Sequence, residues 1–226
     1  MNIRINKIIG IIIFLIFSVQ SNLSRAANEQ DIWVYVTNDK VSELNELLNR
    51  GLNPNIRTKQ QQPALIQAVR DGAWNVFDAL LARPEINVNE LNPLGESPLM
   101  YVALVGDLPR TQKLVAKGAK VNKEDWTPLH YASIKGQAKV IKFLLANGAN
   151  PNEVAPTGDT ALILAVQSDS VESVQLLLNA GADPSASNFK AQDAADIARS
   201  KGKEDLAVAL EKIAEKRQAA RAAQSK

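Results

Sequence analysis

From residue 30 onward, apolar and polar positions alternate in a slow rhythm rather than in one long amphipathic wave. The stretch TPLHYASIKGQAKVIKFLLANGANPN, Thr127 to Asn152, shows the unit most clearly. Thr127 is a good helix N-cap, because its side-chain oxygen can accept an amide two or three residues on. Pro128 suits the first helical position, where the missing N–H costs nothing. A short helix is therefore predicted to run to about Lys135, with a turn at Gly136. Val140, Ile141, Phe143, Leu144 and Leu145 then mark a second helix with a broad apolar face. Gly148 can take the left-handed conformation that ends it, and Asn150-Pro151-Asn152 leads outward into a turn.

The same spacing recurs along the chain. Units start at Gln30, Pro63, Ser97, Thr127, Thr160 and Asp193, at intervals of 33, 34, 30, 33 and 33. Nine residues after each start stands a turn residue: Asp39, Gly72, Gly106, Gly136, Asp169, Gly202. Seventeen after stands a leucine, from Leu47 through Leu114 and Leu144 to Leu210. Two helices of this size cannot bury their apolar faces alone. Stacking on neighbours does it, and a period near 33 signals a solenoid.

The units resemble the ankyrin repeat. The unit from Thr127 matches best, with Thr127, Pro128, Leu129, His130, Gly136 and Gly148 as the motif positions. Those from Ser97 and Thr160 are clear relatives, and that from Pro63 is looser. The resemblance covers about Glu29 to Lys216. It implies an all-α repeat, a solenoid of helix–turn–helix units joined by hairpin loops. Several departures stand out. Only Lys123 to Trp126 separate Asn122 from Thr127, so that hairpin should be clipped. Pro109, Arg110 and Thr111 occupy positions that are apolar in the family, so that unit should pack less well. Ala214 replaces the terminal glycine, so the last helix can run on.

The first 26 residues read differently. Arg4 and Lys7 precede a twelve-residue apolar run, Ile8 to Val19, and Ser24-Arg25-Ala26 offers small residues where a signal peptidase reads. This is the pattern of a secretory signal peptide over 1–26. The run is short for a bilayer span, which needs about 20 residues; the other reading is a retained anchor. Removing Arg4, Lys7 and Arg25 takes the net charge from +2 to −1. The high isoelectric point is thus no argument for nucleic acid. The chain has no cysteine, so disulfides, thiolate chemistry and most zinc sites are excluded. The expected organisation is a signal peptide at 1–26, a repeat domain at 27–216, and a basic, frayed or disordered tail at 217–226. The tail reads as a solvated cap, because its apolar face is too thin for an interfacial helix.

His130 is the only histidine. Catalysis needs a nucleophile and an orienting partner, and a metal needs several ligands at close spacing; the sequence offers neither. No metal site, catalytic residue or cofactor is expected, and the chain is read as a non-enzyme. By resemblance, the His130 ring ties the helix start to the adjacent hairpin together with Thr127.

The resemblance also implies a concave binding face, built from hairpin tips and the ends of first helices. Its candidate contacts here are Arg70, Glu96, Leu104, Val105, Trp126, Ile134, Lys135 and Asp159. The middle of this set is apolar and its ends are polar, the usual anatomy of an interface. Trp126 has two readings, a binding hot spot or a seal over the clipped hairpin. Trp33 is expected in the core of the first unit. Tyr101 and Tyr131, four residues after their starts, are expected to pack between units. The function expected is a non-enzymatic protein-binding module of the cell envelope, exported to the periplasm or secreted, monomeric, and not inserted in the membrane once the signal is cleaved. The alternatives are an inhibitor or immunity-type protein, for which Glu96 and Asp159 would suit a basic target, and a secreted effector acting on host proteins.

Overall fold

The computed structural model describes residues 31–224. The signal-peptide reading of 1–26 lies outside them. Among the described residues the chain is an all-α repeat without strands. Two isolated β-bridges, Arg57–Pro63 and Val154–Thr160, close hairpin stems. No helix among these residues is long and apolar enough to cross a membrane.

The single repeat domain expected over 27–216 divides into two compact units between Asn87 and Val88. Shortly before the division, Pro84 forces Arg83 into extended backbone (φ −68°, ψ 135°).

The first unit holds α1 (residues 31–37), α2 (Val41–Asn49), α3 (Ala64–Asp71) and α4 (Trp74–Ala82). Ile32, Val36, Leu44, Ile66, Phe77 and Leu80 form its core. Trp33, expected in that core, is only half-buried, because the buried stripe of α1 runs through Ile32 and Val36, one turn apart, and Trp33 stands beside it.

The second unit holds α5 (Pro98–Val105), α6 (Leu108–Ala116), α7 (Pro128–Ile134), α8 (Ala138–Ala146), α9 (Ala161–Gln167), α10 (Val171–Asn179), α11 (Ala194–Ser200) and α12 (Glu204–Gln224). First helices stack on first helices, α5 on α7, α7 on α9, α9 on α11; second helices stack likewise, α6 on α8 and α8 on α10. Each first helix is capped by its start residue. Ser97, Thr127, Thr160 and Asp193 accept from the backbone N–H three residues on. Leu99, Met100, Leu114, Leu129, Ile141, Leu144, Leu162 and Leu177 are fully buried between the layers. Burial of each such side chain contributes roughly 1.5–3 kcal/mol.

The polar run in α6 is accommodated. Thr111 is fully buried, and its hydroxyl donates to the Asp107 carbonyl at 2.8 Å. Arg110 pairs with Asp107 at 2.6 Å. Even so, α6 buries only Thr111 and Leu114, where α8 buries Val140, Ile141 and Leu144. The looser packing expected of this unit is visible in that difference.

The tail departs from expectation. Instead of fraying from residue 217, α12 continues to Gln224. Without a terminal glycine nothing stops the helix, and Arg217 ties it down. Arg217 donates to the Leu178 carbonyl at 2.6 Å and to the Ala182 carbonyl, at the C-terminal end of α10. Arg221 pairs with Asp183 at 3.2 Å.

Candidate functional site: the hairpin and first-helix face of the second unit

The hairpins of the second unit share one geometry. In the loop before α5, the Asn92 N–H donates to the Glu96 carbonyl and the Gly95 N–H to the Asn92 carbonyl. The same pair of bonds forms between Ala155, Gly158 and Asp159, and between Asn188, Ala191 and Gln192. The third residue of each turn sits at positive φ: Gly95 74°, Gly158 82°, Ala191 56°. Between Asn122 and Thr127 this turn is missing. Four residues remain, with Asp125 at φ 66°. The clipped hairpin expected from the sequence thus leaves the row of loops short by one.

His130 lies directly beneath. Its ring is 1% exposed. Nδ1 accepts from the Thr127 N–H at 3.1 Å, and Nε2 lies 3.0 Å from the Glu153 carbonyl oxygen. This network assigns the proton to Nε2, which donates to Glu153. Desolvation by burial holds the imidazole below its ordinary pKa of 6.5, opposed in part by the Glu153 carbonyl. A buried neutral ring with both nitrogens used is a strut. Met100, Ile163 and Asp196 fill the same position in other units; the Met100 sulfur takes the Ser97 N–H at 3.3 Å.

Trp126 is half-buried. Its ring meets His130 edge-on at 5.7 Å between centroids, and Tyr131 at 6.0 Å with the planes perpendicular. Tyr131 in turn lies 6.3 Å from Tyr101, so the two tyrosines do meet across adjacent repeats. Both hydroxyls donate to the Glu96 carboxylate, Tyr101 to Oε2 at 2.6 Å and Tyr131 to Oε1. Asn92 Nδ2 adds a third bond to Oε2 at 2.7 Å. Burial, then the bond to Glu96, pushes the Tyr131 hydroxyl pKa well above its usual value. Trp126 therefore both seals the short loop and keeps part of its ring in solvent.

The other predicted contacts distribute unevenly. Val105 is 50% exposed at the end of α5, and Ile134 is 36% exposed at the end of α7. Leu104 is half-buried beside Val105, and Lys135 is exposed after Ile134. Both the Leu104 and Val105 carbonyls accept from Gln137 Nε2, at 3.2 and 3.3 Å. Asp159 is half-buried, and its oxygens accept from Asn188 Nδ2 at 2.9 Å and Thr157 Oγ1 at 2.8 Å. Arg70 belongs to the first unit and is exposed at the end of α3. Two further apolar side chains, Leu94 (80% exposed) and Phe189 (79%), stand on hairpin turns. The helix-based reading passed over them, although both lie one or two residues after a turn asparagine, Asn92 or Asn188, a sequence position that places a side chain at a loop tip.

The asparagines of the loops were also missed. Asn122 donates from Nδ2 to the Gly148 carbonyl at 2.7 Å, and its Oδ1 accepts from the Asn150 N–H at 2.9 Å. Asn89 makes the same pair of bonds with Gly118 and Lys120, and Asn152 with Gly181 and Asp183. The signal was present in the recurrence of Asn 25 or 26 residues after the first four starts, at Asn55, Asn89, Asn122 and Asn152.

Among the described residues no group of three or more His, Cys, Asp or Glu could hold a metal.

Comparison with known proteins accords with the repeat geometry. The family described as ankyrin repeats (3 copies) matches residues 65–155 and again 99–188. The ankyrin repeat and SAM domain-containing protein 6 of Rattus norvegicus is 32% identical over 132 residues, 56% of this chain and 15% of the rat protein. A putative ankyrin repeat protein of fowlpox virus, FPV034, is 29% identical over 134 residues, 59% of this chain and 32% of the viral one. The chain thus spans a small part of the length of the relatives it matches. Among solved structures, an ankyrin repeat domain from Acinetobacter baumannii AYE superposes with a TM-score of 0.69 at 25% identity, covering 80% of this chain and 98% of that one. Ankyrin repeats are generally protein–protein interaction modules, and the fold is typically a non-enzymatic scaffold. With both matched segments together covering residues 65–188, more than half of its length, the chain belongs to the ankyrin repeat family.

Proposed function

We propose that this protein is a non-enzymatic binding module of the cell envelope that recognises a partner protein through the hairpin and first-helix face of its second unit. One observation supports this most: Val105 and Ile134 stay exposed at the ends of α5 and α7, two helices that pack on each other. Leucine, valine and isoleucine scattered singly over a surface need no explanation. Apolar side chains on two packed helices, with a half-buried tryptophan before the second, fit the centre of an interface, with Lys135 and Asp159 on its rim. The envelope assignment rests on the signal-peptide pattern of residues 1–26.

The inhibitor reading drew on Glu96 and Asp159 as acids for a basic target. Both carboxylates accept bonds from their own chain, so they serve the hairpins first.

Affinity capture from periplasmic extract, with tagged protein beside a Val105→Asp/Ile134→Asp double variant, tests the proposal. The expected result is a band held by the parent and lost from a variant that melts normally. Equal capture by both would remove this face from consideration. Recovery of the tagged protein only from the cytoplasm would remove the envelope assignment.

A further inference from the structure

Beside the shortened loop, three aromatic rings and one carboxylate lie close together. Trp126 stands perpendicular to Tyr131 at 6.0 Å, and Tyr131 leans on Tyr101 at 6.3 Å. All three residues are half-buried. The Glu96 carboxylate is fixed against both tyrosines by their hydroxyls and by Asn92.

Two hydroxyl donors and one amide donor point at the Glu96 carboxylate. The faces of aromatic rings are negative, and they attract a cation within about 6 Å of the centroid. Trp126, set at right angles to Tyr131, whose hydroxyl holds that carboxylate, therefore makes a place for positive charge without a dedicated hydrogen-bond donor. The nearby ammonium of Lys123 is bound to backbone carbonyls, including that of Trp126 at 3.1 Å. Exposed Glu124 and Asp125 adjoin Trp126 in sequence and add to the negative field.

We propose that this aromatic–carboxylate notch seats a cationic side chain, a lysine or arginine presented by a basic segment of the partner protein. The proposal rests on the binding face described above and supplies its chemistry: a cation in the notch, flanked by apolar contact with Val105 and Ile134. Trp126 and Tyr131 contact the cation with their rings, and Glu96 is its counter-charge.

Tetramethylammonium is a suitable probe, because it carries the charge and cannot donate a hydrogen bond. The chain has three tryptophans, so the indole N–H signal of Trp126 can be assigned by its loss in Trp126→Phe. Titration with tetramethylammonium chloride should move that signal saturably, with a millimolar Kd. Tert-butanol, similar in size and uncharged, should not. Glu96→Gln keeps an acceptor for the tyrosines and removes the charge; it should weaken tetramethylammonium about fivefold, the order expected for one screened interaction at a half-buried site. Tyr131→Leu should abolish the response in a variant whose thermal unfolding is still cooperative. An unmoved Trp126 signal, an equal response to tert-butanol, or undiminished affinity in Glu96→Gln would each overturn the cation seat. Partner capture lost in the Val105→Asp/Ile134→Asp variant would survive any of those results, so the failure of the seat and the failure of the binding face are separable.

Discussion

His130 joins two repeats through one hydrogen bond: its Nε2 lies 3.0 Å from the carbonyl oxygen of Glu153, 23 residues away in the following loop. The other ring nitrogen closes the cap of its own helix at Thr127. Removing the ring leaves a cavity, a helix start without its cap partner and a carbonyl without its donor. His130→Ala should lower stability by about 2–4 kcal/mol, summing a lost buried bond and a vacated core volume. Urea unfolding followed by far-ultraviolet circular dichroism measures it. A loss under about 0.5 kcal/mol, the range of an ordinary surface change, would show that the strut carries no weight.

The same ring predicts a pH dependence. Burial lowers the folded-state pKa of His130 below 6.5, so the unfolded chain binds the proton more readily. Stability from this group is fully present above pH 6.5 and is lost as pH falls from 6.5 toward the lowered folded value. Protonation would also set a second N–H against the Thr127 N–H. The parent protein should lose stability between pH 7 and 5, and His130→Asn should be flatter over the same range. Parallel curves for the two would assign the slope to other groups.

Much of this was legible because the repeat copies itself. One strong unit fixed the phase, and Leu114, Leu144 and Leu177 then fell into the core by register. The short interval of 30 residues located the clipped loop. What failed was whatever depends on side chains reaching between elements. The tie between Tyr131 and Glu96 spans 35 residues, and no periodicity announces it. The ordering of α12 came from Arg217 reaching a helix end 35 or more residues back; composition alone, rich in alanine and lysine, describes a helix that frays. Trp33 was misplaced for a different reason: its size suggested a core position, while the spacing of Ile32 and Val36 decided which stripe faced inward.

Two glycines of similar backbone geometry should respond differently to the same change. Gly118 and Gly158 sit at φ 90° and 82°. A Cβ on Gly118 meets nothing within 4 Å. On Gly158 it would lie 2.5 Å from the Phe189 backbone nitrogen and 2.9 Å from the Asn188 Cα, in the next hairpin. Backbone cannot swing aside as a flexible side chain can. Gly118→Ala should cost about 1–2 kcal/mol, the left-handed penalty alone. Gly158→Ala should cost more, because it must also push the two hairpins apart. Thermal melts of the pair decide the order, and equal losses would mean that the neighbouring hairpin yields freely.

The C-terminal half of α12 depends on Arg217. Its guanidinium donates to the carbonyls of Leu178 and Ala182, in and just beyond the last turn of α10, where helix carbonyls lack partners and the dipole favours a cation. Arg221 adds an ion pair with Asp183, but both it and the alanine-rich sequence around it are exposed, and such pairs contribute little. Hence Arg217→Ala should release residues after about Lys212, and Arg221→Ala should not. Hydrogen exchange of the α12 amides separates the two: the first variant should lose protection over the last two or three turns while α9 and α10 keep theirs. A lysine at position 217 can reach only as a point charge, without the planar fork that serves two carbonyls at once, so Arg217→Lys should fall between. Full protection in Arg217→Ala would mean that helix propensity holds this segment unaided, and the docking of α12 would then be a consequence of its helicity rather than the cause.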